Sequence, residues 1–355
     1  MDLDDHIKND LDIELLKRTP SAYLGSCRFK LPDISQDREI YDKIFDILNK
    51  LEIEYFFYIG GNDSMDTIKK LSDYSLLNGS NIRFMGVPKT IDNDLAATDH
   101  TPGYGSAAKY IASTMKEIIR DALVQPIKIV NIIEIMGRNA GWLTAASALA
   151  KGDDCEGVDL IYLPETVFDI NKFVAKVQEI QKTKKQIVVA VSEGVKTADG
   201  KYVCESASSN MLVDSFGHKQ LSGTASALAN VISNEIGCKT RAIEFSTIQR
   251  CASHIASLTD VNEAFIVGGI AVKAAFDGET GKVGIFQRLS NKPYLMGTSI
   301  YDVNAIANVE KTVPQEWIIN DGTGVSQEAL DYMRPLIQGE IYPYMVDGLP
   351  RHIKL

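Results

Sequence analysis

The sequence predicts an α/β protein of two three-layer domains built on mostly parallel sheets, and three observations lead there. Apolar runs alternate with stretches of 3.6-residue period over most of the chain. The runs are nearly continuous in β-branched and aromatic residues, as strands buried on both faces require. A length of 355 residues is enough for two full cores. The first strand is read at Ile53 to Ile59 (IEYFFYI) and ends in Gly60-Gly61-Asn62-Asp63-Ser64. Two glycines there allow a ligand close approach and tolerate positive φ, and a helix opening near Ser64 offers unpartnered N–H groups to an anion. The second strand, Ile82–Val87, ends in Pro88-Lys89-Thr90-Ile91-Asp92-Asn93-Asp94. A helix from Gly105 to Leu123 carries Ala108, Ile111, Met115, Ile118, Ile119 and Ala122 on one face. Strand Ile127–Ile135 runs into Met136-Gly137-Arg138, and strand Leu160–Leu163 follows. A helix near Ile170 to Lys182 then buries Phe173, Val174, Val177 and Ile180. Strand Ile187–Ser192 ends in Ser192-Glu193-Gly194, and the last strand is Arg241–Phe245. The polar, glycine-spotted stretch 196–224 is read as loops. Four strands thus end in candidate motifs, and ligands of open α/β sheets bind beyond the carboxyl ends of strands, so one crevice is expected to collect all four.

Composition narrows the function. With 45% hydrophobic and 24% charged residues the chain reads as an ordinary soluble globular protein. A formal net charge of −10 disfavours nucleic acid and anionic membranes as partners. No apolar run approaches the length of a membrane span, and the start MDLDDHIKND resembles neither a signal nor a transit peptide, so the cytoplasm is the expected compartment. Five cysteines (Cys27, Cys155, Cys204, Cys238, Cys251) without a CxxC pair argue against a disulfide framework or a zinc site. The histidines show no ligand spacing, and P-loop, dinucleotide, zinc-protease and GxSxG templates are absent.

The two polar turns suit phosphoryl transfer. Donor and acceptor are both anionic, so such a site needs positive charge, a metal ligand and a base for a hydroxyl proton. The second turn supplies one cation, Lys89, one hydroxyl, Thr90, and two carboxylates, Asp92 and Asp94. Arg28, Lys89, Arg138, Arg241 and Arg250 each stand beside a glycine, a turn or a strand end and could build a local cationic pocket. Plainer readings stand beside these: Asp92 as a turn aspartate, Asp63 as a helix N-cap, Lys89 as a solvated lysine, Arg138 in a surface ion pair.

In order along the chain, GGNDS, PKTIDND, MGR, SEG and QR (Gln249-Arg250) resemble the signatures of the phosphofructokinases, and Asp63 with Lys89 resembles the pyrophosphate-dependent branch. The similarity runs from about Thr19 onward. It implies Rossmann-like, phosphofructokinase-like domains, with residues 1–105 and 249–300 holding the phosphoryl donor and 106–248 and 301–355 the sugar phosphate. It further implies transfer of a phosphoryl group from pyrophosphate to the 1-hydroxyl of fructose 6-phosphate, with Mg2+ and as a homodimer or homotetramer. An ATP-dependent enzyme and a non-catalytic subunit are the alternatives.

The resemblance makes Asp92 the base, with Thr90, Asp94 and Arg138 also catalytic. It assigns Gly60, Gly61, Asn62, Asp63, Ser64, Lys89 and Arg28 to the donor, Met136, Gly137, Arg138, Glu193, Arg241 and Arg250 to the sugar phosphate, and Asp63 and Asn62 to the metal. Arg241 is implied to complete a neighbour's site. ATP users have glycine where Asp63 stands. A carboxylate there repels a nucleotide phosphate, at ~4 Å by about 1 kcal/mol in water and about 4 kcal/mol at an effective dielectric of 20. The chain departs from the family at three places. Asn62 stands where relatives often have an acid, Thr247 replaces a sugar-site histidine, and no strand with a Gly-Gly turn precedes Leu24-Gly25-Ser26-Cys27-Arg28. One strand–turn–helix unit, on the order of 30 residues, is therefore expected to be missing.

Overall fold

Aromatic and β-branched residues start the framework where the chain first becomes apolar. The structure is a computed structural model and describes residues 2–27, 29–206 and 221–354. Arg28, and residues 207–220 of the stretch read as loops, lie outside the described residues. Along the chain run α1 (Asp10–Leu16), α2 (Arg38–Lys50), β1 (Tyr55–Gly60), α3 (Asn62–Leu77), β2 (Arg83–Pro88), α4 (Tyr104–Leu123), β3 (Ile129–Ile135) and α5 (Trp142–Ala145). Then come β4 (Leu160–Tyr162), α6 (Ile170–Ile180), β5 (Gln186–Ser192), α7 (Thr224–Ile236), β6 (Lys239–Glu244), α8 (Leu258–Phe276), β7 (Lys282–Asn291), β8 (Tyr294–Asp302) and α9 (Gln327–Met333). The chain divides into two units. The first is Met1–Ser26, Tyr104–Asp260 and Thr312–Leu355, and the second is Cys27–Gly103 and Val261–Lys311. The unit boundaries therefore fall after residues 26, 103, 260 and 311, where the sequence suggested cuts after 105, 248 and 300.

The second unit holds a four-stranded sheet in the order β1-β2-β7-β8. β1 and β2 pair in parallel from Tyr55↔Arg83 to Gly60↔Pro88. Strand alternation sorts the β1 side chains: Phe56 and Tyr58 join the core with Tyr41, Phe45, Met65 and Ile68 of α2 and α3, while Tyr55 and Phe57 meet Ala274 and Ala275 of α8. The helix after β1 begins at Asn62, earlier than expected, and Gly61 rather than Asp63 is its N-cap. β7 and β8 form an antiparallel ribbon, so this sheet is mixed. The sequence reading missed that ribbon, because exposed residues interrupt its apolar pattern.

The first unit is built on an all-parallel sheet in the order β4-β5-β3-β6. β3 is buried at every position, with the near-continuous apolar run that double-sided burial favours broken only by Asn131 and Glu134. Val130, Ile132, Val189 and Val191 pack against Phe173 and Val177 of α6 and against Leu228 and Ile232 of α7. Helix α4 lies against β5 and buries Ile111, Met115 and Ile119. The four motifs do not share one sheet. GGNDS and PKTIDND follow β1 and β2 in the second unit, whereas MGR and SEG follow β3 and β5 in the first.

Candidate functional site

In the second unit, register does the positioning. Because Gly60 pairs with Pro88, both turns leave the sheet at the same level, and Lys89 N–H donates to Gly60 O at 2.9 Å. Neither Gly60 nor Gly61 has positive φ. Gly60 is required for space instead, since a Cβ there would lie 2.0 Å from the Ser64 hydroxyl. Asp63 sits in the first turn of α3, where a negative charge favours the helix. Asn62 behaves differently from its expected role as a metal ligand. Its Oδ1 accepts from Asn308 N–H at 2.6 Å and its Nδ2 donates to Val309 O at 3.0 Å, so the amide clips α3 to the 308–309 turn. Lys89 is exposed.

The 89–94 turn closes on itself and on its return loop. Asp92 N–H donates to the Thr90 hydroxyl at 3.1 Å, and that hydroxyl lies 3.4 Å from Asp92 Oδ2. Thr90 N–H donates to Pro102 O at 3.2 Å, and Thr101 Oγ donates to Thr90 O at 2.7 Å. Asn93 takes a positive φ of 55° with no exposure, and its Oδ1 accepts from Thr101 N–H at 3.1 Å. Asp94 is the unusual member. Its Oδ1 is buried without a hydrogen-bond partner, and burial together with the neighbouring Asp92 charge pushes its carboxyl up to about 6. A buried, unpartnered carboxylate oxygen is costly, and a strongly perturbed carboxyl of this kind is a candidate for a functional site.

Two groups that the sequence did not reveal hold this loop. Lys311 reaches in from just beyond the 306–309 turn and donates through Nζ to Asp99 O at 2.7 Å, Thr98 O at 3.2 Å and Asn93 Oδ1 at 3.4 Å. Burial lowers its pKa to about 8, against the opposing pull of Asp99 and Asp94. His100 is buried between Asp99 and Glu263, each 2.8 Å away, and stacks on Phe286 at 4.6 Å. Burial alone would lower its pKa, but the bonds to the two carboxylates outweigh it and the pKa is raised. Neither residue stands in a recognisable motif. Their partners are brought together only by tertiary packing, which hid their role.

The first unit gathers the other set. Met136 N–H meets Gln249 Oε1 and Gly137 N–H meets Glu193 Oε1, each at 3.4 Å, while Glu193 N–H donates to Ile135 O at 2.9 Å. Two glycines are sterically necessary here. Gly137 has φ +142°, and a Cβ on Gly194 would lie 1.9 Å from Arg138 O. Arg138 is half-buried, and its Nε lacks a hydrogen-bond partner. Arg250 follows Gln249 but points to the exposed surface. Arg241 does not join this set in the single chain. It lies near the start of edge strand β6, paired with Asn131, and bonds Asp121 of α4 at 3.1 Å. A further residue unforeseen from the sequence is Glu134, whose buried carboxylate accepts Ala225 N–H at 2.9 Å at the start of α7. That helix also ties to the motif, Thr224 Oγ donating to Glu193 O at 3.2 Å.

Among the described residues there is no cluster of three or more His, Cys, Asp and Glu able to cage a metal ion, and no helix is long and apolar enough to cross a membrane. The carboxylates present are oxygen donors of the kind Mg2+ takes when substrate phosphates complete its shell.

A family model described as Phosphofructokinase matches residues 3–250. The chain belongs to the phosphofructokinase family. It is 39% identical over 350 residues, covering 98% of this chain and 83% of the relative, to the pyrophosphate–fructose 6-phosphate 1-phosphotransferase of Halomonas elongata. It is 40% identical to the enzyme of that name from Xanthomonas campestris pv. campestris, over 97% of this chain and 82% of the relative. A solved structure named as the pyrophosphate-dependent phosphofructokinase of Nitrosospira multiformis superimposes with a TM-score of 0.86 at 38% identity, covering 97% of this chain and 81% of that one. The phosphofructokinase fold and the turn motifs thus agree with one another across nearly the whole chain.

Proposed function

We propose that this chain transfers a phosphoryl group from pyrophosphate to the 1-hydroxyl of fructose 6-phosphate, yielding fructose 1,6-bisphosphate and phosphate. The observation that carries this is the Gly60↔Pro88 register, which sets the Asp63-bearing helix start beside a turn holding Lys89, Asp92 and Asp94. Likeness over nearly the full chain to relatives named for this reaction supports it.

In this reading Asp92 takes the proton of the attacking hydroxyl while the bond from phosphorus to the leaving phosphate breaks in line, with no phosphoenzyme. The Thr90 hydroxyl oxygen orients Asp92 by accepting its backbone N–H, and the Thr90 hydroxyl proton, only weakly held at 3.4 Å, turns to the transferred group. Lys89, the backbone of Gly60, Gly61 and Ser64, and the cationic Arg28 hold the short donor. Arg138 meets the charge on the equatorial oxygens of the transition state. Met136, Gly137 and Glu193 receive the sugar hydroxyls, and Arg250 the 6-phosphate. Arg241, exposed on an edge strand, serves the sugar phosphate of a neighbouring copy in a homodimer or larger assembly. Mg2+ bound with the donor phosphates would neutralise their charge, with Asp63 and Asp94 as the carboxylates that would help hold it. Asn62 is left in its clip. The net charge of −10 and the soluble metabolites the reaction uses suit a cytoplasmic enzyme.

The test is the ratio of kcat/KM for pyrophosphate over ATP, with fructose 6-phosphate and Mg2+, in wild type and in Asp63→Gly/Lys89→Gly. The wild type should prefer pyrophosphate, and the double variant should move toward ATP by about tenfold or more, a change near 1.4 kcal/mol. Preference of the wild type for ATP would overturn the donor assignment.

A further inference from the structure

We propose that Lys311 is a positioning residue for the Asp92–Asp94 turn, its ammonium locking the turn and its return loop into one geometry. The inference rests on the proposed role of Asp92. Five hydrogen bonds converge on this short stretch of backbone. Lys311 Nζ donates to Asp99 O, Thr98 O and Asn93 Oδ1, its own N–H donates to Asp94 O at 2.7 Å, and Asn93 Oδ1 also takes Thr101 N–H. Asn93 is the pivot. It separates the two carboxylates, it holds a left-handed backbone conformation, and its side chain is fully buried. Asparagine tolerates that conformation better than most side chains, and the hydrogen bonds to its buried amide oxygen fix it here. Lys311 contributes to that fixing from the far side of the loop, anchored by the Leu95–Glu310 bridge.

The chemistry explains why a cation serves. The three acceptors reached by Nζ are two carbonyls and an amide oxygen, all of which a three-proton ammonium satisfies at once. The carboxylates facing it are those of Asp94 and Asp99, with Arg288 as the opposing cation. An apolar side chain at 311 would take three donated hydrogen bonds away from this loop, leaving Asn93 Oδ1 with Thr101 N–H, while removing the charge that offsets Asp94. The reacting carboxylate lies one residue from the pivot, and a misplacement on the order of 1 Å can cost about 10²-fold in rate.

The experiment compares Lys311→Met, Lys311→Arg and wild type by steady-state kinetics and by amide hydrogen exchange across residues 90–103. We expect Lys311→Met to lower kcat about 10- to 100-fold while KM for both substrates changes less than about threefold. Exchange at 92–101 should accelerate about tenfold, and Lys311→Arg should recover most of both effects. Unchanged exchange there, kcat within twofold of wild type, or global unfolding of both variants would each overturn the proposal, the last by making Lys311 a plain core anchor. A wild type inactive with pyrophosphate would instead sink the functional reading, and exchange with its recovery in Lys311→Arg would still decide the role of Lys311.

Discussion

The 89–94 turn of the second unit and the 136–138 turn of the first both follow the carboxyl end of a parallel strand, yet they are held by different means. Around Asp92 the fixing is polar: Thr90, Thr101, Asn93 and Lys311 form a hydrogen-bonded enclosure, and it leaves one carboxylate oxygen of Asp94 buried and unmade. Around Arg138 the polar contacts of Gln249, Glu193 and Ser192 are joined by a steric constraint, Gly137 and Gly194 admitting backbone where no side chain fits. One carboxylate, that of Asp94, is made costly beside the proposed base. Anion-binding groups are left accessible where recognition is proposed. Desolvation raises the basicity of a carboxylate, whereas a phosphate is held by donors that need only be well placed.

Four substitutions test that contrast. The largest effect is expected from Asp92→Asn, where the amide keeps the shape but cannot accept a proton; kcat should fall by about 10² to 10⁴ with sugar-phosphate affinity retained. A loss smaller than tenfold would remove Asp92 as the base. Next comes Gly194→Ala, which places a methyl group against the Arg138 carbonyl. Denaturant titration should show a loss of roughly 1–3 kcal/mol, with KM for fructose 6-phosphate rising more than KM for pyrophosphate. Equal effects on both would mean the steric lock is purely structural.

Asp94→Asn should do the opposite to stability. A carboxyl raised from 3.8 to about 6 binds its proton more tightly in the folded chain, so its burial costs nothing at low pH, and the cost grows from about pH 4 to a maximum above pH 6. In metal-free buffer at pH 7.5 the variant should therefore be more stable than wild type by on the order of 2 kcal/mol, the difference vanishing near pH 4. Activity should fall at the same time. A variant less stable at pH 7.5 would show the Asp94 charge to be compensated. The smallest effect is assigned to Arg241→Ala, which should raise KM for fructose 6-phosphate about tenfold with kcat unchanged, as loss of one charge-assisted contact predicts. Light scattering of the wild type showing a monomer with full sugar-phosphate affinity would remove its cross-subunit role.

The motif-bearing strands were legible in the sequence because burial on both faces writes a continuous apolar run, and β3 and β5 lie within two residues of where that pattern put them. GGNDS, PKTIDND, MGR and SEG were readable because each concentrates turn-forming and charged residues just past such a run. The sequence did not show which motifs share a sheet, since strand order depends on crossovers that local pattern does not encode. The ribbon β7–β8 escaped notice because its outer half alternates with exposed residues such as Gln287 and Leu289. Lys311, His100 and Glu134 were hidden for another reason: each acts through partners brought together by tertiary packing, and in the sequence each looks like an ordinary polar residue. Asn62 shows the converse. Its place in the motif suggested a metal ligand, and its hydrogen bonds give it a structural task.

The interleaving of the two units bears on how the polypeptide emerges from a ribosome. β2 ends at Pro88, but the strand that pairs with its other edge, β7, begins only at Lys282. At a synthesis rate of roughly 5–20 residues per second, the nascent β2 edge waits on the order of 10 to 40 s for its neighbour. During that interval Met85 and Phe84, both fully buried in the finished sheet, lack part of their cover. The first unit meanwhile has all four of its strands by Glu244. The enclosure that orients Asp92 is later still, since Lys311 is made after every strand of both four-stranded sheets, so the machinery of the proposed base is completed only once both sheets have all their strands.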